Sequence, residues 1–382
     1  MKRIRALLAW GVLGTLVLFL FILTSGSAAV HAAGSAGDAR AGTPGVALLA
    51  DQLPVSESES ATNSIRRGGG NWTVLPNVRQ SVKQVNGGGH TNGFIFIPGG
   101  LINGIGPMLH NTMQFYDVAN NRWRIDGETM PVTVADAAVC TDAAGKIHVI
   151  NGFDSSLALN SVHMVYNPTL PAGSRWSTAA APQVGGDNYF SQASGCAVVN
   201  HILYLFGGLG NIGAGSPAAL NATWAWNPMT DTWTDTGFTL NDARYWFGYG
   251  RKSNNAYVAG GTDGSGPTPL SSTERFIPGT GWQTLMNLPT GLLSPGLVGV
   301  EAGVMVFGGG AYDGSNYVLQ STTYLCAGSC PPSASWNDTS TSLNTARWFA
   351  GYAGGPPDGP YIAGGHVTGN GALKSSERFQ LP

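Results

Sequence analysis

Ala256-Tyr257-Val258-Ala259-Gly260-Gly261 is an alternating strand that runs into a glycine pair, and with variations it occurs six times. The other copies are Phe96-Ile97-Pro98-Gly99-Gly100, Val149-Ile150-Asn151-Gly152, Leu205-Phe206-Gly207-Gly208, Val306-Phe307-Gly308-Gly309 and Ile362-Ala363-Gly364-Gly365. Their last glycines are spaced by 52, 56, 53, 48 and 56 residues, a period near 53 that lasts to the end of the chain. A unit of about 50 residues with four short strands predicts a β-propeller blade, and an array filling most of the chain predicts one closed unit. The 56 glycines, 11 tryptophans and 10% charged residues fit an all-β, turn-rich protein and leave too few helix formers for long helices.

Two further landmarks follow each glycine pair. An aromatic or apolar position comes first, at Tyr116, Tyr166, Trp226, Phe276, Leu325 and Phe379; a tryptophan then follows at Trp123, Trp176, Trp233, Trp282 and Trp336. The sixth copy has no such tryptophan because the chain stops, but Asn71-Trp72-Thr73-Val74 has the same character as Asp231-Thr232-Trp233-Thr234 and precedes the first complete unit. A ring of sheets leaves an unpaired edge at its seam unless one sheet is shared between the chain ends. The sequence therefore predicts a six-bladed propeller over residues 71–382, with Trp72 on the outermost strand of the last blade.

Together the glycine pairs, the turn residues Asp154, Asp263 and Asp313, the Ser272-Thr273-Glu274 and Ser375-Ser376-Glu377 pattern and the two aromatic columns resemble a kelch-repeat propeller. The resemblance implies the fold. It implies no single function, since kelch propellers include oxidases, sugar epimerases and pure binding proteins. Asn151 departs from the pattern where a glycine is expected, and the third-strand Glu survives only as Glu274 and Glu377, with Gln114 closest elsewhere.

The N-terminus reads differently. Lys2, Arg3 and Arg5 precede an apolar run from Ala6 to Leu23 and a small-residue end at Val30-His31-Ala32-Ala33. These are the parts of a secretory signal peptide spanning 1–32, although the run also reaches the length of an N-terminal membrane anchor. Either reading exports the rest, and the expected location is extracellular, free or held at the cell surface. Residues 33–70, rich in Ala, Gly and Ser with one short apolar run at Val46-Ala47-Leu48-Leu49-Ala50, read as a flexible tether. The formal charge of −2 becomes −5 without the three N-terminal cations and favours neither nucleic acid nor an anionic membrane. Membrane contact is expected only through an uncleaved N-terminus, and the chain is expected as a monomer.

In a propeller the loops entering the inner strands and those following the glycine pairs emerge on one face. Three entry loops share a chemistry: Asp187-Asn188-Tyr189-Phe190, Asn241-Asp242-Ala243-Arg244-Tyr245-Trp246 and Asn344-Thr345-Ala346-Arg347-Trp348. Arg beside aromatics offers flat faces for stacking and a planar cation, which makes Asp187, Tyr189, Arg244, Tyr245, Trp246, Arg347 and Trp348 the candidate surface for a glycan or protein. The competing reading has the arginines bonding carbonyls that connect blades while the aromatics cap the core. Scattered histidines supply no base, no nucleophile or cofactor motif is present, and no cofactor or metal is expected; a binding module is favoured over an enzyme. The alternative, implied by the resemblance, is a carbohydrate-active enzyme like the kelch-type sialic-acid epimerases. Cys326 and Cys330 read as a local disulfide staple, while Cys140 and Cys196 occupy equivalent places on neighbouring inner strands, with their bonding open.

Overall fold

The computed structural model describes residues 47, 53, 70–102, 108–184, 186–355, 359–367 and 371–380. The apolar run 6–23 and most of the expected tether lie outside the described residues. Everything described is β-strand, turn or loop, as the scarcity of helix formers requires. Among the described residues, six sheets are four-stranded antiparallel meanders, and their first strands are Gly89–Thr91, Ala138–Thr141, Gly195–Val199, Gly248–Lys252, Gly296–Val300 and Gly351–Gly355. The last sheet differs in how it is assembled. Its outer strand is Asn71–Leu75, which pairs with Ser376–Gln380 in the register Trp72↔Phe379.

The glycine pairs end the second strands for a steric reason. Gly260 and Gly261 have φ of 69° and 90°, and a Cβ on Gly260 would come within 2.3 Å of Leu292 O. Asn151 serves in the variant copy because asparagine tolerates the left-handed region (φ 60°). Its side chain donates to Tyr189 O and Ser191 Oγ and accepts from Val162 N–H, replacing bonds that a glycine could not make.

In five copies the aromatic and tryptophan columns prove to be cross-strand partners, since Tyr116↔Trp123, Tyr166↔Trp176, Trp226↔Trp233, Phe276↔Trp282 and Phe379↔Trp72 are register pairs, while in the remaining copy Leu325 pairs with Asn337, next to Trp336. Each tryptophan also faces the preceding sheet. Trp72 Nε1 donates to Thr323 Oγ1 at 2.8 Å, Trp282 to Thr223 Oγ1 at 2.8 Å, Trp336 to Thr273 Oγ1 at 3.2 Å and Trp123 to Ser376 Oγ at 3.0 Å. The hydroxyls begin the third strands of the neighbouring sheets, so one residue type recurs where one donor recurs. Two sheets lack it. His163 stands at that place in the second sheet and Trp233 turns to Ala180 O instead, while Met113 stands there in the first sheet and leaves Trp176 Nε1 buried without a hydrogen-bond partner.

Two insertions interrupt the repeat: a further four-stranded sheet built from Gln183–Val184, Asp187–Gln192, Leu209–Ile212 and Ala218–Ala219, and a hairpin of Gly310–Tyr312 with Tyr317–Leu319. Two disulfides use all four cysteines. Cys140–Cys196 joins neighbouring inner strands with Cα atoms 5.8 Å apart, and Cys326–Cys330 closes a five-residue ring.

Candidate functional site

Arg244 and Arg347 are entirely buried, and all their donors are consumed within the protein. Arg244 donates from Nε to Asp242 O, from Nη1 to Gly260 O and Ser272 O, and from Nη2 to Asp242 Oδ2, Ser272 Oγ and Glu274 Oε1 at 2.8 Å. Arg347 repeats the pattern with Thr345 O, Gly364 O, Ser375 O, Ser375 Oγ and Glu377 Oε1 at 2.6 Å. Burial lowers both arginine pKa values, and the carboxylate partners oppose that. Each glutamate also accepts the N–H of the loop's first residue, Asn241 or Asn344. These groups staple the entry loop to its own sheet. They do not face a ligand.

The aromatics of the expected surface are likewise inside. Trp246 and Trp348 are 2% and 0% exposed, and with Tyr245 and Phe349 they form a packed cluster in which Phe349 lies edge-on to both indoles at 5.0 and 4.9 Å. Tyr189 is also fully buried and donates to Gly207 O, whereas Asp187 alone of the seven candidates is partly exposed. The turn residues Asp154, Asp263 and Asp313 each accept the backbone N–H two residues on, closing their own turns. The channel-mouth surface read from Arg next to Trp and Tyr is therefore corrected to a structural cap, because sequence shows residue type and not burial.

Under that cap lies a ring that sequence did not announce. Gln84, Asp136, Ala193, Trp246, Ser294 and Phe349, one at each entry to an inner strand, all have φ between 49° and 56°. Backbone bonds pass from one entry to the next, with Asp136 N–H donating to Gln84 O, Ala193 N–H to Asp136 O and Ser294 N–H to Trp246 O. The only carboxylate among these six is 1% exposed. Its Oδ2 accepts from Trp246 Nε1 at 2.7 Å, Gln192 Nε2 at 3.1 Å and Gln84 Nε2 at 3.4 Å, while Oδ1 has no hydrogen-bond partner. Burial pushes Asp136 up to about 6, with those three bonds opposing the rise. Non-glycine residues in this region cost about 1–3 kcal/mol each and persist only where packing over-determines them.

The concave site lies at the other end of the inner strands. A cavity of about 530 Å³ opens between their hairpin turns, and His90, Thr141, Asp142, Arg251, Lys252 and Asn254 are among its polar lining residues. Tyr249 and Tyr352 and the Cys140–Cys196 disulfide form part of the wall. Tyr249 ties the wall together: its hydroxyl donates to Asn86 O and accepts from Val139 N–H, and its own N–H donates to Tyr352 Oη at 3.1 Å. The two cations are oriented by carbonyls, Arg251 through Val198 O and Lys252 through Val300 O and Glu301 O. Burial would raise the pKa of Asp142, but bonds from His148 and Lys146 N–H outweigh it and hold the carboxylate below its ordinary range. Behind it, His148 Nδ1 and His163 Nε2 share a hydrogen bond at 2.8 Å, and burial against Trp226 and Trp233 depresses His163 to about 3. The lining can thus offer one carboxylate acceptor and cationic donors to a small polar molecule.

Repeat and sheets together define an all-β protein of recurring four-stranded antiparallel sheets, each with its second strand ending at a glycine turn. Residues 193–236 match the family model described as the Kelch motif. A solved structure titled "Structure of YjhT" superposes with a TM-score of 0.62 at 13% identity, covering 80% of this chain and 99% of that one. A comparison with curated proteins finds no match.

Proposed function

We propose that the chain is an exported six-bladed kelch propeller, closed by its N-terminal strand, that binds a small acidic or richly hydroxylated glycan in the cavity at the hairpin-turn end of its channel. For the ring the support is the six meander sheets, the contact between the first and last inner strands and the pairing of Asn71–Leu75 with Ser376–Gln380. For export it is the N-terminal sequence together with two disulfides, which persist in oxidising compartments. The single observation that carries the binding reading is the cavity itself. Its size falls within the range of small-molecule sites, and its polar groups come from several sheets and converge on one space.

A binding role stands ahead of catalysis because Asp142 is held ionised and is a weak base, while the one carboxylate with a raised pKa among the described residues, Asp136, lies buried at the opposite end. A glycan array followed by NMR of sugar anomer exchange, run on the parent and on Arg251→Ala with Lys252→Ala, tests the reading. Binding of acidic glycans that weakens at least tenfold in the double variant is expected. Accelerated exchange lost in the same variant would make the site an enzyme's, and no signal in either assay would end the reading.

A further inference from the structure

We infer that the cap over the left-handed ring is a docking site for an extended apolar peptide, and that its occupant is this chain's own stretch Val46-Ala47-Leu48-Leu49-Ala50-Asp51-Gln52-Leu53. The stretch belongs to the segment read as a flexible tether, yet two of its residues are anchored. Ala47 is 6% exposed, donates its N–H to Leu157 O at 2.8 Å and packs among Leu101, Ala135, Phe153, Leu159 and Phe190. Leu53, partly buried, packs against the separate cluster that contains Tyr245, Trp246 and Trp348. The first cluster is built on the loops around the second glycine pair, and the second on the entry loops of the fourth and last sheets. Six residues of extended chain reach at most about 20 Å, enough to bridge neighbouring loops on one face.

The recognition chemistry is that of an extended peptide on a preformed surface, with one main-chain bond for alignment and apolar side chains seated in two clusters. Occupancy in cis follows from the short connection to the first strand. Linked in this way, the segment is present at an effective concentration of order millimolar, so even a weak site stays filled. The cluster that Leu53 packs against contains Trp246, whose indole N–H donates to Asp136.

Hydrogen exchange on the full chain tests the inference first. The amides of residues 46–53 should exchange at least tenfold more slowly than in a synthetic peptide of residues 44–55, and exchange at the free-peptide rate overturns the proposal. In the full chain carrying Ala47→Glu with Leu53→Glu, that protection should vanish, dye binding to exposed apolar surface should rise, and the synthetic peptide should now bind in trans, measured by fluorescence anisotropy. Failure of the folded variant to bind the peptide better than a scrambled sequence would also overturn it. If the variant does not fold, the exchange rates of the parent decide alone. The cavity at the opposite end is untouched by these substitutions, so glycan binding distinguishes failure here from failure there.

Discussion

Arg347 shows at the scale of one residue how a recognition motif becomes a structural one. Replacing it with alanine leaves Glu377 as an uncompensated buried charge and strips Gly364 O and Ser375 O of their donor, at a cost of roughly 3–5 kcal/mol. Chemical denaturation of Arg347→Ala measures it, and a loss below about 1 kcal/mol would mean that the guanidinium is not the staple. Lysine should not rescue, because an ammonium cannot reproduce the planar fork that serves five acceptors. Asp136 makes a pH prediction. Its folded pKa of about 6 lies above the ordinary 3.8, so between these values the folded state holds a proton that the unfolded state has released, and stability falls as pH rises through the window. Asp136→Asn removes that slope: the variant should match the parent near pH 4 and exceed it by about 3 kcal/mol above pH 6 in urea titrations. His163 acts in the opposite sense, because its depressed pKa adds stability as pH rises from about 3 to 6.5. An Asp136→Asn advantage independent of pH would place the ionised carboxylate in a better-solvated site than the geometry gives it.

At the scale of the element, the tryptophan that crosses to a neighbouring hydroxyl is the recurring unit. Thr323→Val keeps the shape but orphans Trp72 Nε1 and should cost about 1–3 kcal/mol, whereas Trp72→Ala also empties the space beside Phe307 and Phe379 and should cost about 3–5 kcal/mol. Equal losses in thermal or chemical melts would show that the ring packing adds nothing beyond the hydrogen bond. The two disulfides differ by the loop each closes. In the chain-entropy account, removing Cys140–Cys196, which spans 56 positions, should cost about 4 kcal/mol against about 2 kcal/mol for Cys326–Cys330. Much of this layer was legible: glycine pairs and aromatic columns have fixed residue types because backbone sterics and inter-sheet packing demand them. The hydroxyl column of Thr223, Thr273, Thr323 and Ser376 is equally readable, two of its members lying in the Ser272-Thr273-Glu274 and Ser375-Ser376-Glu377 pattern. The left-handed ring was not readable, since Gln, Asp, Ala, Trp, Ser and Phe occupy it and only the backbone is common to them. The cavity also escaped, because its polar groups sit in hairpin turns that differ from repeat to repeat, while the Arg-aromatic loops, which repeat, turned out to be scaffold.

At the scale of the whole molecule, the joining of the chain's two ends governs integrity. Deleting residues 71–75 unpairs the Ser376–Gln380 strand and exposes its edge, and the truncated protein should melt early or aggregate; unchanged melting would show that the last sheet stands without its outer strand. Export is checked by mass spectrometry of the mature protein, with an N-terminus at Ala33 expected from cleavage and an intact Met1 region from anchoring.

The same joining has a consequence in time. The Asn71–Leu75 strand is among the first parts of the unit to be synthesised, and its partner is among the last, with Ser376 Oγ meeting Pro76 O across 300 positions. At about 5–20 residues per second, the Trp72 strand waits unpaired for tens of seconds, an apolar edge held open until the C-terminus arrives. Early sheets can form as they emerge, but the seam cannot, so the committed step of maturation is a late event between the oldest and youngest segments. Chains arrested before residue 376 should therefore be the aggregation-prone species, and release of the full chain should relieve the aggregation.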